Sequence, residues 1–196
     1  MLKVGVTGGI GSGKTLVCSV FKSIGIPVYN ADIEAKKISN TDAETISKVK
    51  TAFGDDIYNN KGIDRKKLAS IIFTDEDALK KINAIIHPKV RVDFKIWCKQ
   101  YNHLPYVIQE AAILYESGAY KELDFTINVS ASEETRIERV MHRDNTTFEQ
   151  VKERMKNQLN DQERLRLADF NIINDENSMI LPQILEIHKK LIRLKE

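Results

Sequence analysis

The chain has 196 residues, 42% hydrophobic and 30% charged, with 30 basic side chains against 28 acidic for a formal charge of +2. That length carries one substantial core, the near-balanced charge argues against nucleic acid or an anionic membrane as the main partner, and no stretch is apolar enough to span a bilayer. Two distant cysteines, Cys18 and Cys98, and four scattered histidines exclude a disulfide framework and a structural metal, so the cysteines read as reduced packing residues. The first element starts at once, without the charged, apolar and small-residue regions of a secretory signal, which makes the cytosol the expected location.

Residues 2–7, with β-branched Val4, Val6 and Thr7, predict a buried strand, and residues 16–24 predict a helix. Between them Gly8-Gly9-Ile10-Gly11-Ser12-Gly13-Lys14-Thr15 fills the phosphate-loop pattern of Gly, four residues, Gly, Lys and a hydroxyl residue. Three or four phosphate charges need a concave ring of backbone N–H groups at a helix N-terminus, and glycine removes the side chains that would block it. The expected ligand is ATP, held by Gly9, Gly11, Ser12, Gly13, Lys14, Thr15 and Leu16. Lys14 reaches the outer phosphates, and the Thr15 hydroxyl ligates a bridging Mg2+.

Residues 27–30, 106–110, 125–129 and 170–173 read as four further core strands. Helical stretches between them imply parallel pairing and right-handed crossovers. The fold class is therefore α/β, a three-layer sandwich around a five-stranded parallel sheet, with the chemistry gathered at its carboxyl edge. Residues 31–105 exceed what a crossover needs and predict an inserted helical subdomain. Its helices are expected at 33–38, 43–53 and 65–73, with a run over 76–101 broken where Pro88 starts a new helix, and turns at Gly54 and Gly62. Residues 142–167 read as a small lid, in which 146–149 offers a capping box and Val151, Met155 and Leu159 a thin apolar stripe. A last amphipathic helix is expected over 178–194. On this division the core comprises residues 1–30, 106–141 and 168–196.

A phosphate loop alone leaves several reactions open. The guanine motif of GTPases is absent: its nearest approach is Asn60-Lys61-Gly62-Ile63, and no Asp has Gly three residues on. Asp32 follows the second strand, where a carboxylate can accept the proton of an attacking hydroxyl or cap a helix beginning at Ile33. Location alone leaves both roles open.

From the loop onward the chain resembles the dephospho-coenzyme A kinase family. The matching residues are 7–14, Ala31-Asp32, Phe53-Gly54, Asp64-Arg65, Phe73, His87-Pro88 with Arg91, Ile113-Leu114-Tyr115-Glu116, Arg143-Asp144, Gln158 and Ala168-Asp169. The resemblance implies ATP-dependent phosphorylation of the ribose 3′-hydroxyl of dephospho-CoA, a small-molecule acceptor, with Asp32 as catalytic base and Arg143 reaching the phosphates from the lid. Asn30 stands where the family more often has Asp, Leu16 where Thr is frequent, and Ala111-Ala112 where a Pro often occurs.

Glu110 ends the third core strand, where it can hold Mg2+ through water, orient the nucleophile or serve as a buried structural acid. Arg136, Arg139 and Arg143 share a helix face at i, i+3 and i+7. They can neutralise transferring phosphate or pair with Glu133, Glu134 and Glu138 on a solvated surface; that second role is the expectation for Arg136. Arg154 and Gln158 are candidates to grip nucleotide from the lid, and His87-Pro88 to fix a helix start. Another nucleoside or nucleotide kinase, or an ATP-binding scaffold, would share much of this pattern. The sequence shows no seam that would set an oligomeric state.

Overall fold

The structure, a computed structural model, describes residues 1–175 and 177–195; the Phe73 side chain of the family pattern, with that of Thr74, lies outside the described residues. The chain divides into two compact units, one of Met1–Asn30 with Cys98–Glu196 and one of Ala31–Trp97. In the first unit β1 (Leu2–Thr7) runs through the phosphate loop into α1 (Lys14–Ser23), followed by β2 (Val28–Asn30). The second unit contains α2 (Ala31–Thr41), α3 (Ala43–Phe53), the short strands β3 (Tyr58–Asn59) and β4 (Gly62–Ile63), α4 (Arg65–Thr74) and most of α5 (Glu76–Cys98). The chain then returns to the first unit as β5 (Tyr106–Glu110), β6 (Phe125–Ser130), α6 (Glu133–Asp144), α7 (Phe148–Lys156), α8 (Asp161–Leu167), β7 (Phe170–Ile173) and α9 (Ile180–Arg193).

The five apolar runs pair as a parallel sheet in the order β2-β5-β1-β6-β7, the arrangement their separation by helices implies. Alternation along β1 sets its two faces. Val4 and Val6 enter a core with Val17, Cys18 and Phe21 of α1 and Ile184, Ile187 and Leu191 of α9. Gly5, between them, leaves room on the opposite face for Leu114 and Leu123. Phe21 is fully buried with its ring edge-on to Tyr106 at 6.4 Å. Both cysteines are free and buried. Among the described residues no helix is long and apolar enough to cross a membrane.

In the second unit three expectations change. Helix α2 starts at Ala31, so Asp32 lies inside its first turn and not at a capping position before Ile33. Helix α5 continues through Pro88, which begins no new helix. Proline forfeits one backbone hydrogen bond there, but Ala78, Ile82, Val90 and Phe94 keep one buried face at multiples of four residues on both sides of it. The insert is also not wholly helical. Tyr58 and Asn59 pair antiparallel with Ile63 and Gly62, and Asn40 Oδ1 accepts from the Ile63 N–H at 2.8 Å.

In the first unit residues 142–167 form the end of α6 with α7 and α8. Thr147 caps α7 with Gln150 in a reciprocal capping box, one residue later than the expected 146–149. Val151 is fully buried with Ile137 and Val140, and Met155 packs against them.

Candidate active site

The phosphate loop leaves the carboxyl end of the central strand and turns directly into α1. Gly11 and Gly13 take φ of +80° and +93°, which L side chains rarely adopt. Lys14 Nζ donates back across the loop to the carbonyls of Gly8 at 2.8 Å and Gly9 at 3.2 Å. The cation is thus held over the loop's own first turn.

Beside it, Thr15 Oγ1 donates to Glu110 Oε1 at 2.9 Å, and Asn30 Nδ2 donates to Glu110 Oε2 at 2.8 Å. Glu110 is 5% exposed. Three neighbouring strands therefore converge: β1 delivers Thr15 through the loop, β5 ends on Glu110, and β2 ends on Asn30. Burial, with the Glu110 charge next, pushes the Cys18 thiol far above its usual range and leaves it inert. Asp32 stands two residues beyond Asn30 in the chain, half-buried in the first turn of α2.

No group of three or more His, Cys, Asp or Glu side chains among the described residues forms a metal cage. The pairing of Thr15 and Glu110 nonetheless fits Mg2+, a hard cation that takes few protein oxygens and keeps water or phosphate in its other positions.

The segment after β6 supplies the loop's outer wall. The Ile10 N–H donates to Gln158 Oε1 at 2.8 Å, and Gln158 Nε2 donates to the Ala112 carbonyl at 3.1 Å. Gln158 therefore ties the loop to Ala112, two residues past β5. Asn174, just past β7, donates through Nδ2 to the Ser12 carbonyl at 2.8 Å, and its own carbonyl accepts from Arg139 Nη1 at 3.1 Å. The missing side chains of the loop make room for protein as well as phosphate. A Cβ on Gly9 would collide with Arg136, one on Gly11 with the Arg136 carbonyl and Val140, and one on Gly13 with Asn174.

Arg136 departs from its expected surface pairing with Glu133, Glu134 and Glu138. It is 2% exposed, lies on Gly9 and pairs with Asp161, which also holds buried Arg164. Arg143 sits differently. It is 62% exposed and binds its neighbour Asp144 through Nε at 2.8 Å and Nη2 at 3.2 Å, while Arg154 Nη1 reaches the same carboxylate at 2.7 Å. The two guanidinium groups, Arg143 first, pull the Asp144 carboxyl down to about 2. Arg136, Val140 and Arg143 nevertheless share one face of α6 at i, i+4 and i+7, which puts Arg143 one turn beyond the loop contact at Val140. His87 lies inside α5, where burial and then Arg91 hold its imidazole below the usual value and favour the neutral form.

Sequence reasoning missed Arg164, Asp161 and Asn174. Residues 161–164 carry no motif within the expected lid, and a lone Asn after an edge strand has no signature. Asp161 and Asn174 act through partners 25 and 162 positions away, and Arg164 joins them through Asp161.

The model of the family described as dephospho-CoA kinase matches residues 2–179. The chain belongs to the dephospho-CoA kinase family. A Bacteroides fragilis dephospho-CoA kinase is 37% identical over 186 residues, which cover 95% of this chain and 91% of the relative. A crystal structure of a Thermus thermophilus protein superposes with a TM-score of 0.81 at 29% identity, covering 98% of this chain and 97% of that one. The dephospho-CoA kinase from Campylobacter jejuni gives 0.71 at 28%, covering 99% and 98%. The family match spans the loop, the insert and the arginine-rich segment and stops just before α9.

Proposed function

We propose that this protein transfers the terminal phosphoryl group of ATP to the ribose 3′-hydroxyl of dephospho-CoA, giving coenzyme A and ADP. The observation that carries this reading is the assembly of Lys14, Thr15 and Glu110 around the loop of a chain that belongs to the family almost end to end.

Phosphoryl transfer asks the protein for position and charge more than for covalent chemistry. Backbone N–H groups of Gly11, Ser12, Gly13, Lys14, Thr15 and Leu16 at the start of α1 would hold the phosphates, and Gly9 keeps the loop's near side open. Thr15 and Glu110 would hold Mg2+, which when bound neutralises charge on the outer phosphates. Lys14 would exchange its two carbonyl acceptors for phosphate oxygens.

Asp32 would take the proton of the 3′-hydroxyl. Asp32 follows Asn30, the last residue of β2, by two positions in the chain. Arg143, exposed and held by one carboxylate, would leave Asp144 for the transferring group, and closure of residues 142–167 would exclude the water that otherwise hydrolyses ATP. The insert, residues 31–105, would take the acceptor. Two free, buried thiols fit a reducing cytosol.

Incubation with Mg2+, ATP and a panel of dephospho-CoA, AMP, CMP and nucleosides tests the acceptor. ADP release should depend on dephospho-CoA. Release driven equally by a nucleoside or mononucleotide would replace this reading with that of a different small-molecule kinase.

A further inference from the structure

We propose that Arg136 and Arg164 form a buried cationic pair behind the phosphate loop that makes nucleotide affinity rise steeply with phosphate charge. The inference rests on the nucleotide reading of the loop.

Two guanidinium groups, 2% and 3% exposed, share one carboxylate, that of Asp161. Two positive charges against one negative leave a net positive charge out of water. Glu133, the other acid that bears on Arg136, is already paired with Lys152. Buried charge is costly unless it is balanced. Among the described residues the Arg136 side chain makes a single hydrogen bond, from Nη2 to Asp161, and its buried Nε has no acceptor. Desolvation, and the neighbouring Arg164 charge in the same direction, hold the Arg136 guanidinium below its usual value. A protein optimised only for stability would place one arginine here.

The excess sits against Gly9. A Cβ at Gly9 would collide with Arg136 Nη1 and come within 3.0 Å of Arg164 Nη2, so both groups lie on the loop backbone itself. The Gly8 and Gly9 carbonyls beside them already accept from Lys14, which adds a third cation to the same turn of the loop. A polyanion in the loop supplies the missing negative charge at short range and low dielectric, where Coulomb interactions are strongest. Arg136 and Arg164 are on this view positioning residues. They hold Gly9 in place and act on the phosphates through the field, while Lys14 makes direct contact.

The two possible roles of Arg136, field source and mere buttress, predict opposite stabilities. Arg136→Gln removes the charge, ends its amide at about the depth of the arginine Nε, and leaves a balanced Arg164–Asp161 pair. The free protein should then melt at the same temperature or higher. Calorimetric binding of AMP, ADP and the non-hydrolysable ATP analogue AMPPNP should weaken progressively in that order, by about tenfold or more for AMPPNP. Arg136→Lys should recover most of the AMPPNP affinity. A lower melting temperature with equal loss for all three nucleotides would overturn the inference and make Arg136 a structural buttress. Failure of the wild-type chain to bind AMPPNP would instead overturn the nucleotide reading itself.

Discussion

Two aspartates in the segment after β6 each hold two arginines, in opposite surroundings. Asp161 gathers Arg136 and Arg164, whose side chains are 3% and 4% exposed, against the phosphate loop. Asp144 gathers Arg143 and Arg154, whose side chains are 62% and 48% exposed, at the end of α6 and on α7. The same three charges thus make a fixed element in one place and a loose one in the other. A desolvated guanidinium cannot leave its partner without a large penalty, whereas an exposed pair is worth little and exchanges readily. The buried arginine pair on Asp161 suits the permanent field proposed for the loop, and the exposed arginine pair on Asp144 suits the proposed movement of Arg143 toward the transferring group.

The largest expected effect lies outside both trios and sets the scale for them. Asp32→Asn should lower kcat by about 10²- to 10⁴-fold while nucleotide binding, followed by calorimetry, survives. Normal turnover in that variant would remove Asp32 as base. Next, Arg143→Ala should lower kcat by about 10²- to 10³-fold with little change in AMPPNP affinity, because the proposed mechanism gives it a phosphate contact only in the closed, reacting state. A change confined to KM for ATP would erase the functional difference between the trios.

Stability separates the trios more simply. In urea titrations Asp161→Asn should cost about 3 kcal/mol, since it strands two buried guanidinium groups, whereas Asp144→Asn should cost about 0–1 kcal/mol. Equal costs would contradict the contrast. The smallest effect is in acid. The Asp144 carboxyl is held at about 2, well below its ordinary value of 3.8. A depressed folded-state value means that its stabilising contribution is complete above about pH 4 and disappears as pH falls through about 2. Asp144→Asn should remove that component of the pH dependence, and added salt should shrink it in the wild type.

What the sequence made legible follows the same division between local and distant causes. The phosphate loop could be read because binding phosphate through backbone N–H groups demands glycine at fixed spacing, and the five strands because a doubly covered parallel sheet needs near-continuous apolar runs. Pro88 misled because local backbone chemistry argued for a break, while a buried stripe at four-residue spacing held α5 together. The β3–β4 hairpin escaped because two-residue strands carry no periodicity. In the site, Lys14 and Thr15 were visible, and Glu110 was visible as an alternative among several. Arg136 was misplaced because its nearest acids in sequence, Glu133 and Glu134, are not its partner. Asp161 lies two helices further on, and only the packing of α6, α7 and α8 brings it to the loop.

On the proposed mechanism ATP, the loop and Asp32 serve phosphorylation of one hydroxyl of dephospho-CoA. Tandem mass spectrometry of the product formed with Mg2+, ATP and dephospho-CoA tests it most directly. One phosphate should be added, mapped to the ribose 3′ oxygen, with ADP formed in equal amount. An unmodified acceptor, or a phosphate at any other position, would contradict the account.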